Sequence, residues 1–141
     1  MLITSAVDTN VLLDVLLADP DHAASSLSCL EAAQTEGRLV ICEMVYAELS
    51  GLFESISELN AFLSDSRIDL HPSLRESLHA AGRLWRAYRR RRLAAGADAP
   101  AHVIPDFLIG AHAKLQTDRL ITRDRGFYRD YFTGLHIITP S

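Results

Sequence analysis

The sequence has few of the features that mark secreted, membrane or metal-thiolate proteins. Its 141 residues include two cysteines, Cys29 and Cys42, whose spacing fits neither a CxxC pair nor a zinc site. Both are expected to be reduced thiols in the core, which favours a cytoplasmic location. No apolar run reaches the roughly 18 residues of a membrane span, and the N-terminus lacks the pattern of a secretion signal. Repeats, linkers and low-complexity stretches are also missing, so residues 1–141 are expected to form a single domain.

The charge is distributed unevenly along the chain. The net charge is −4, yet six of the 14 basic residues lie in the segment "RLWRAYRRRR", namely Arg83, Arg86 and Arg89 to Arg92. Such asymmetry permits an anionic partner at one face of a protein that is acidic elsewhere. Contact with RNA or a partner protein and a merely solvated helix face explain this segment equally well.

Apolar runs of strand length alternate with segments of helical periodicity. The predicted strands are 2–7, 38–42, 67–72, 119–122 and 135–139. The predicted helices are 10–17, 19–37, 43–53, 55–64, 73–96 and 106–116, with a short helix within 123–132 and a loop at 98–105. Four or five short strands separated by helices indicate an α/β fold, with a central parallel sheet of 4–5 strands and helices on both faces.

Four acids fall where such a sheet gathers its functional groups, beyond the carboxyl ends of its strands. Asp8 follows the first strand, and Asp124 follows "LIT" of a later strand by two residues. Glu48 lies in the helix after the second strand, and Asp106 opens the helix that leads into the later strand. Taken singly, each acid is explained as a helix cap, a first-turn acid, a turn residue or a solvated side chain.

Four converging carboxylates would form a site for a cation. At ~4 Å and an effective dielectric near ~20, each pair repels by about 4 kcal/mol, so such a cluster holds protons or binds a metal. Oxygen ligands suit Mg²⁺ or Mn²⁺, and a hard divalent ion suits phosphodiester hydrolysis. His112 lies six residues after Asp106, which turns it away from this pocket and makes it a packing or surface histidine. Thr9 and Asn10 are expected to cap the first helix, which leaves Asp8 to face the ion.

Four segments in series resemble a known family. "VDTNVLLDVL", "YAEL", "PDFLIGAHA" and "LITRDRGFY" resemble the PIN domain, and in particular VapC-type toxins of type II toxin–antitoxin pairs, over nearly the whole chain. The resemblance implies a Mg²⁺-dependent endoribonuclease (with Mn²⁺ as a substitute), a homodimer and inhibition by a VapB-like antitoxin. It also implies the catalytic acids Asp8, Glu48, Asp106 and Asp124, with Asp8, Asp106 and Asp124 as metal ligands. Thr122 matches a hydroxyl position that supports the site.

Several neighbouring residues have weaker assignments. Glu48 is preferred to Glu43 because "AEL" matches the family, and Asp14 is expected behind the site or on the surface. Arg123 and Arg125 flank Asp124 and are expected to touch substrate. The aromatic residues Phe127, Tyr128, Tyr131 and Phe132 are expected to pack in the interior. The first-helix leucines suit burial against the sheet, and the resemblance implies that the early helices also help form a groove for the antitoxin; the sequence does not divide these roles among Leu12, Leu13, Leu16 and Leu17.

Other functions stay open at this point. A housekeeping PIN nuclease of RNA processing would use the same chemistry, and a catalytically idle RNA- or protein-binding module would not use it. An aspartyl phosphatase would need a second aspartate two residues after Asp8, where this chain has Asn10.

Overall fold

A five-stranded parallel sheet forms the centre of the molecule. A computed structural model describes residues 2–96 and 104–141 of the chain. The strands are β1 Ile3–Val7, β2 Gly37–Ile41, β3 Ile68–Leu70, β4 Arg119–Ile121 and β5 Ile137–Ile138. The helices of the described residues are α1 Thr9–Leu16, α2 Ala23–Glu36, α3 Glu43–Ser50, α4 Ile56–Asp65, α5 Arg75–Ala94, α6 Ile104–Gln116 and α7 Arg125–Tyr131.

The strand order is β3-β2-β1-β4-β5, and every strand pair is parallel. The first strand lies in the middle, where Ser5 is in register with both Leu39 and Arg119. The chain therefore adds β2 and β3 on one side of β1, and then returns to add β4 and β5 on the other side. This reversal opens a crevice beyond the carboxyl ends of β1 and β4, which is where ligands bind in open α/β sheets.

The sheet is covered on both faces. Leu39, Val40 and Ile41 are successive residues of β2, so they point alternately to opposite faces, and all three are buried. The predicted parallel α/β fold is thereby confirmed. None of the helices within residues 2–96 and 104–141 combines the length and the apolar character needed to cross a bilayer.

The start of α2 differs from the prediction. The sequence placed Pro20 and Asp21 at the beginning of the helix, whereas α2 begins at Ala23. The carboxylate of Asp19 accepts hydrogen bonds from the backbone N–H groups of Asp21 and His22, at 2.9 and 3.0 Å. This local turn satisfies the donors before the helix, so the preceding residues stay outside it.

The aromatic residues after β4 pack in the interior as expected. Phe127, Tyr128 and Phe132 are buried, and Tyr131 packs against them. Of the first-helix leucines, Leu12 is fully buried, whereas Leu17 is 64% exposed and is not buried against the sheet. Leu17 follows the last residue of α1 and lies beyond the part of the helix that covers the sheet.

Only part of the predicted loop 98–105 is described by the structure. Residues 98–103 lie outside the described residues, and Ile104 and Pro105 belong to α6. Asp106 therefore lies in the first turn of that helix. Proline fits this position because the first turn of a helix needs no intrahelical donor there.

Candidate acidic active site

Asp8 occupies the N-cap position of α1, but its side chain makes no capping bond. Its backbone N–H donates to the carbonyl of Ile121 at 2.9 Å, which extends the pairing of β1 with β4 by one step. The side chain is then held at the crevice between these two strands. The expectation that Asp8 is free of a capping role is met.

The expected capping by Thr9 and Asn10 is wrong, because both side chains bind elsewhere. The hydroxyl of Thr9 donates to Glu48 Oε1 at 2.7 Å, and Asn10 Nδ2 donates to Asp8 Oδ2 at 3.3 Å. Asn10 Oδ1 also accepts the backbone N–H of Arg123 at 3.3 Å. These two residues connect the acids to one another instead of satisfying the start of the helix.

The carboxyl group of Asp8 is 7% exposed. Burial raises its pKa from 3.8 to about 6, although hydrogen bonds from Thr122 and Tyr128 oppose the shift and the charge of Asp106 adds to it. The fully buried hydroxyl of Thr122 donates to Asp8 Oδ2 at 2.7 Å and accepts the backbone N–H of Asp124 at 3.0 Å. One hydroxyl therefore orients Asp8 and also fixes the backbone of a second acid.

Three aspartates act electrostatically on the hydroxyl of Tyr128. Burial raises the pKa of its hydroxyl well above the ordinary value, and the charges of Asp8, Asp106 and Asp124 raise it further. Asp106 from α6 thus lies within electrostatic reach of Asp8, and Asp124 from the β4–α7 connection lies within electrostatic reach of Tyr128. Sequence reasoning assigned Tyr128 to packing alone, since a buried tyrosine in an aromatic cluster carries no sign of where its hydroxyl points.

Glu48 joins this group through Thr9, while Glu43 does not. The side chain of Glu48 is exposed and accepts the Thr9 hydroxyl next to Asp8. Glu43 Oε1 instead accepts the backbone N–H of Ser73 at 2.8 Å and so ties α3 to the segment after β3. The structure therefore places Glu48, and not Glu43, beside the other acids.

Asp14 and Arg123 form an ion pair that the sequence did not reveal. Asp14 is 3% exposed and lies on α1, and it accepts hydrogen bonds from Arg123 Nε and Nη2 at 2.7 and 2.8 Å and from Ser26 Oγ at 2.7 Å. Burial alone would raise the pKa of Asp14, but these hydrogen bonds outweigh it and hold the pKa below its ordinary value. Of the two positions expected for Asp14, the structure shows the one behind the site and not the one on the surface. Arg123 is paired with Asp14, and its contact with substrate stays a prediction. The pair anchors the connection that carries Asp124 to α1 and α2.

His112 is a packing residue, as one of the two expectations stated. It is 1% exposed and packs edge-on against His71, with ring centroids 5.6 Å apart. Burial lowers its pKa, so the neutral ring is favoured in the interior.

The donor chemistry of the site fits a hard divalent cation. The converging groups are carboxylates, and Asp8 is a buried carboxylate whose ionised form is costly without a positive partner. Within residues 2–96 and 104–141, no three aspartate, glutamate, histidine or cysteine side chains are close enough together to enclose an ion. The acids are therefore more widely spaced than the ligands of a closed metal cage.

The chain is similar in sequence and in structure to known proteins. The sequence model of one family, the PIN domain, matches residues 6–132. No curated protein matches the chain significantly. Among solved structures, VapBC2 from Rickettsia felis, bound to a DNA fragment from its promoter, matches with a TM-score of 0.69 and 23% identity over 99% of this chain and 100% of that chain.

Two further solved structures are similar to the chain. A toxin–antitoxin complex from Klebsiella pneumoniae has a TM-score of 0.65 at 21% identity, and it covers 97% of this chain and 98% of that chain. VapBC-1 from nontypeable Haemophilus influenzae has a TM-score of 0.64 at 19% identity over the same shares. At these identities the likeness establishes the fold.

Proposed function

The chain belongs to the PIN-domain family, and from that premise we propose that it is a metal-dependent endoribonuclease and the toxin of a type II toxin–antitoxin pair. PIN domains are nucleases, which makes hydrolysis of nucleic acid the activity that the family supports. The observation that carries the proposal is the buried Asp8 at the β1–β4 crevice, with the charge of Asp106 acting on it and the charge of Asp124 acting on its neighbour Tyr128.

Each acid has a proposed role that follows from its surroundings. Asp8, Asp106 and Asp124 would hold the cation, and Thr122 would keep the Asp8 carboxylate turned toward it. Glu48, fixed by Thr9 at the edge of the group, would orient the attacking water or hold a second ion. Mg²⁺, or Mn²⁺ as a substitute, supplies the positive charge and the Lewis acidity that phosphodiester hydrolysis needs.

Cleavage of RNA by the purified protein tests this activity. Asp8→Asn and Asp106→Asn each remove a ligand charge with little change in volume, and the exposed Asp65→Asn is the matched control. Activity that requires Mg²⁺ or Mn²⁺ is expected for the wild type and the control, with a loss of at least about 100-fold in both site variants. Equal cleavage by all four proteins, or cleavage that ignores metal, would overturn the proposal.

An apolar groove supports the toxin–antitoxin part of the proposal. It lies between α1, α2 and α4, has a volume of about 260 Å³ and is lined by apolar residues including Leu12, Val15, Leu27, Leu30, Phe62 and Ile68. Leu27 remains 46% exposed at this groove. We propose that a VapB-like antitoxin buries part of its own chain here, and that the toxin is a cytoplasmic homodimer. The similar VapBC structures are the support for this partner.

Growth of cells that express the chain separates the toxin from a housekeeping nuclease. Expression alone is expected to arrest growth, and coexpression of an antitoxin encoded beside the gene is expected to relieve the arrest. Leu27→Arg should stay toxic but resist relief, because a charge in the groove disfavours an apolar partner. RNA cleavage without growth arrest would favour the housekeeping function. The absence of both cleavage and growth arrest would favour an idle binding module.

A further inference from the structure

The outer face of α5 carries a row of basic side chains that the acidic site does not use. Half of the 14 basic residues of the chain lie on α5, which has a single acid, Glu76. Four of its exposed residues, His79, Arg83, Arg86 and Arg90, line one surface groove of about 480 Å³ together with Ala87. These four residues are called the basic stripe below.

Helical geometry makes the basic stripe a continuous track. At 3.6 residues per turn, its four members fall within an arc of about 60°, and they extend over about 16 Å of the helix axis. The opposite face of α5 is buried through Ala81 and Tyr88. The side chains of the stripe therefore point outward together, and their charges add along a line.

The arginines of the stripe differ from the arginines of the same helix that lie against aromatic rings. Arg89 lies over the ring of Trp85 at 4.8 Å, and Arg91 lies over the ring of Tyr131 at 5.1 Å. In contrast, no ion pair or aromatic contact within residues 2–96 and 104–141 engages Arg83, Arg86 or Arg90. Their charges are available to an external anion.

The C-terminal end of α5 packs against the two helices that lie beside Asp106 and Asp124. Tyr88 packs edge-on against Phe107, the neighbour of Asp106, with ring centroids 5.3 Å apart. The contact of Arg91 with Tyr131 joins the same end of α5 to α7, the helix that follows Asp124. Arg90 lies at this end of α5 on its outer face, and the stripe runs from there toward His79.

We propose that the basic stripe binds the backbone phosphates of single-stranded RNA on one side of the bond that is cut. This inference rests on the proposed ribonuclease function, which requires a polyanion to leave the acidic site in some direction. Arginines supply affinity for phosphates without regard to sequence. A protein-docking face would present aromatic or aliphatic anchors at its centre, whereas Ala87 is the only apolar residue that lines this groove among the residues that the structure describes.

Equilibrium binding tests the stripe separately from catalysis. A fluorescent single-stranded RNA of about 12 nucleotides is titrated with the full-length protein in EDTA, where the proposed cleavage is blocked, at several salt concentrations. Arg86→Gln/Arg90→Gln removes two charges from the stripe. The control Arg38→Gln/Arg67→Gln removes two charges from exposed positions at the start of β2 and just before β3, at the opposite ends of the strands from the acids.

The expected result is a loss of about tenfold or more in affinity for the stripe variant and no comparable loss for the control. The slope of log affinity against log salt should fall by about 1.4 in the stripe variant, because each lost phosphate contact on a single strand removes about 0.7. Equal affinities and slopes in both variants would overturn the proposal. Binding of a labelled oligoglutamate peptide can be measured in the same way. If peptide binding is lost in the Arg86→Gln/Arg90→Gln variant while RNA binding is unchanged, the proposal is overturned in favour of a protein partner.

Cleavage kinetics connect the stripe to the site. The stripe variant is expected to raise KM for a long RNA with little change in kcat, and to leave a trinucleotide substrate unaffected because it does not reach the stripe. A fall in kcat on both substrates would contradict the assignment. If the wild type binds RNA through the stripe but cleaves none with any metal, the nuclease proposal fails and the binding result stands.

Discussion

At the scale of single residues, Asp8 combines a buried position with a charge that the fold does not neutralise. Its pKa is raised to about 6 chiefly by burial, and the neighbouring hydroxyls of Thr122 and Tyr128 only partly offset this effect. A carboxylic acid with this pKa changes its charge close to neutral pH. Stability without metal should therefore depend on pH in a range where ordinary aspartates are fully ionised.

Asp8→Asn is expected to stabilise the protein in EDTA at pH 8. The folded state holds the proton of Asp8 up to pH about 6, while the unfolded chain releases it near 3.8. The contribution of protonated Asp8 to the free energy of unfolding is therefore complete below pH 3.8 and is lost as the pH rises through 6. At about 1.4 kcal/mol per pKa unit, the ionised group costs up to about 3 kcal/mol. The variant should be more stable by about 1–3 kcal/mol at pH 8, and the difference should shrink toward pH 5.

Urea denaturation at pH 5, 6, 7 and 8 measures this difference, with the exposed Asp65→Asn as the control. The control should follow the wild type at every pH. A free-energy difference between Asp8→Asn and wild type that stays constant from pH 5 to 8 would contradict the assigned burial of the charge.

At the scale of secondary-structure elements, two helical glycines have opposite surroundings. A Cβ added to Gly110 of α6 would collide with the ring of Phe132, so the glycine lets the segment after α7 approach α6 closely. A Cβ on Gly82 of α5 would meet nothing within 4 Å. The same substitution at the two positions therefore separates packing from helix propensity.

Gly110→Ala should destabilise the protein and Gly82→Ala should stabilise it. Alanine favours a helix by about 1 kcal/mol over glycine, and this gain is expected nearly in full at Gly82. At Gly110, overpacking against Phe132 costs about 1–3 kcal/mol and outweighs that gain. Thermal unfolding of both variants gives the comparison, and a higher Tm for Gly110→Ala would show that the Phe132 ring moves aside freely.

At the scale of the whole molecule, the acidic site depends on segments that meet only in the folded chain. The parallel order β3-β2-β1-β4-β5 brings the end of β1 beside the end of β4. A cation held there binds the folded state and not the unfolded chain, so it must stabilise the fold.

Mn²⁺ or Mg²⁺ is therefore expected to raise the Tm of the wild type. At 100 times its dissociation constant, a single bound ion adds about 2.7 kcal/mol, which corresponds to a rise of about 5–10 °C for a domain of this size. Asp8→Asn and Asp124→Asn should respond much less, and Asp65→Asn should respond like the wild type. Differential scanning fluorimetry across a metal titration measures the shift, and equal responses from all four proteins would place the metal elsewhere.

The sequence was sufficient for the parallel sheet, while the convergence of the four acids on one metal ion stays a prediction. Alternating strand and helix patterns determine a parallel α/β fold, and the acids follow strands whose carboxyl ends share one edge of the sheet. It was not sufficient for side-chain partners: Arg123 pairs with Asp14 at 2.7 Å across 109 positions of sequence. Thr9 and Asn10 failed as predicted caps for the same reason, since their partners were chosen by contacts across the fold and not by local helix rules.

The central position of β1 also sets the order in which the site comes into existence during synthesis. Asp8 leaves the ribosome first, and Asp124 follows 116 residues later. At roughly 5–20 residues per second, this interval lasts roughly 6–23 s. For most of this interval β1 has no β4 to pair with, and until its end the nascent chain carries the earlier acids without Asp124. A ribosome that is making this protein is therefore not exposed to a completed acidic site on the chain that it is still extending.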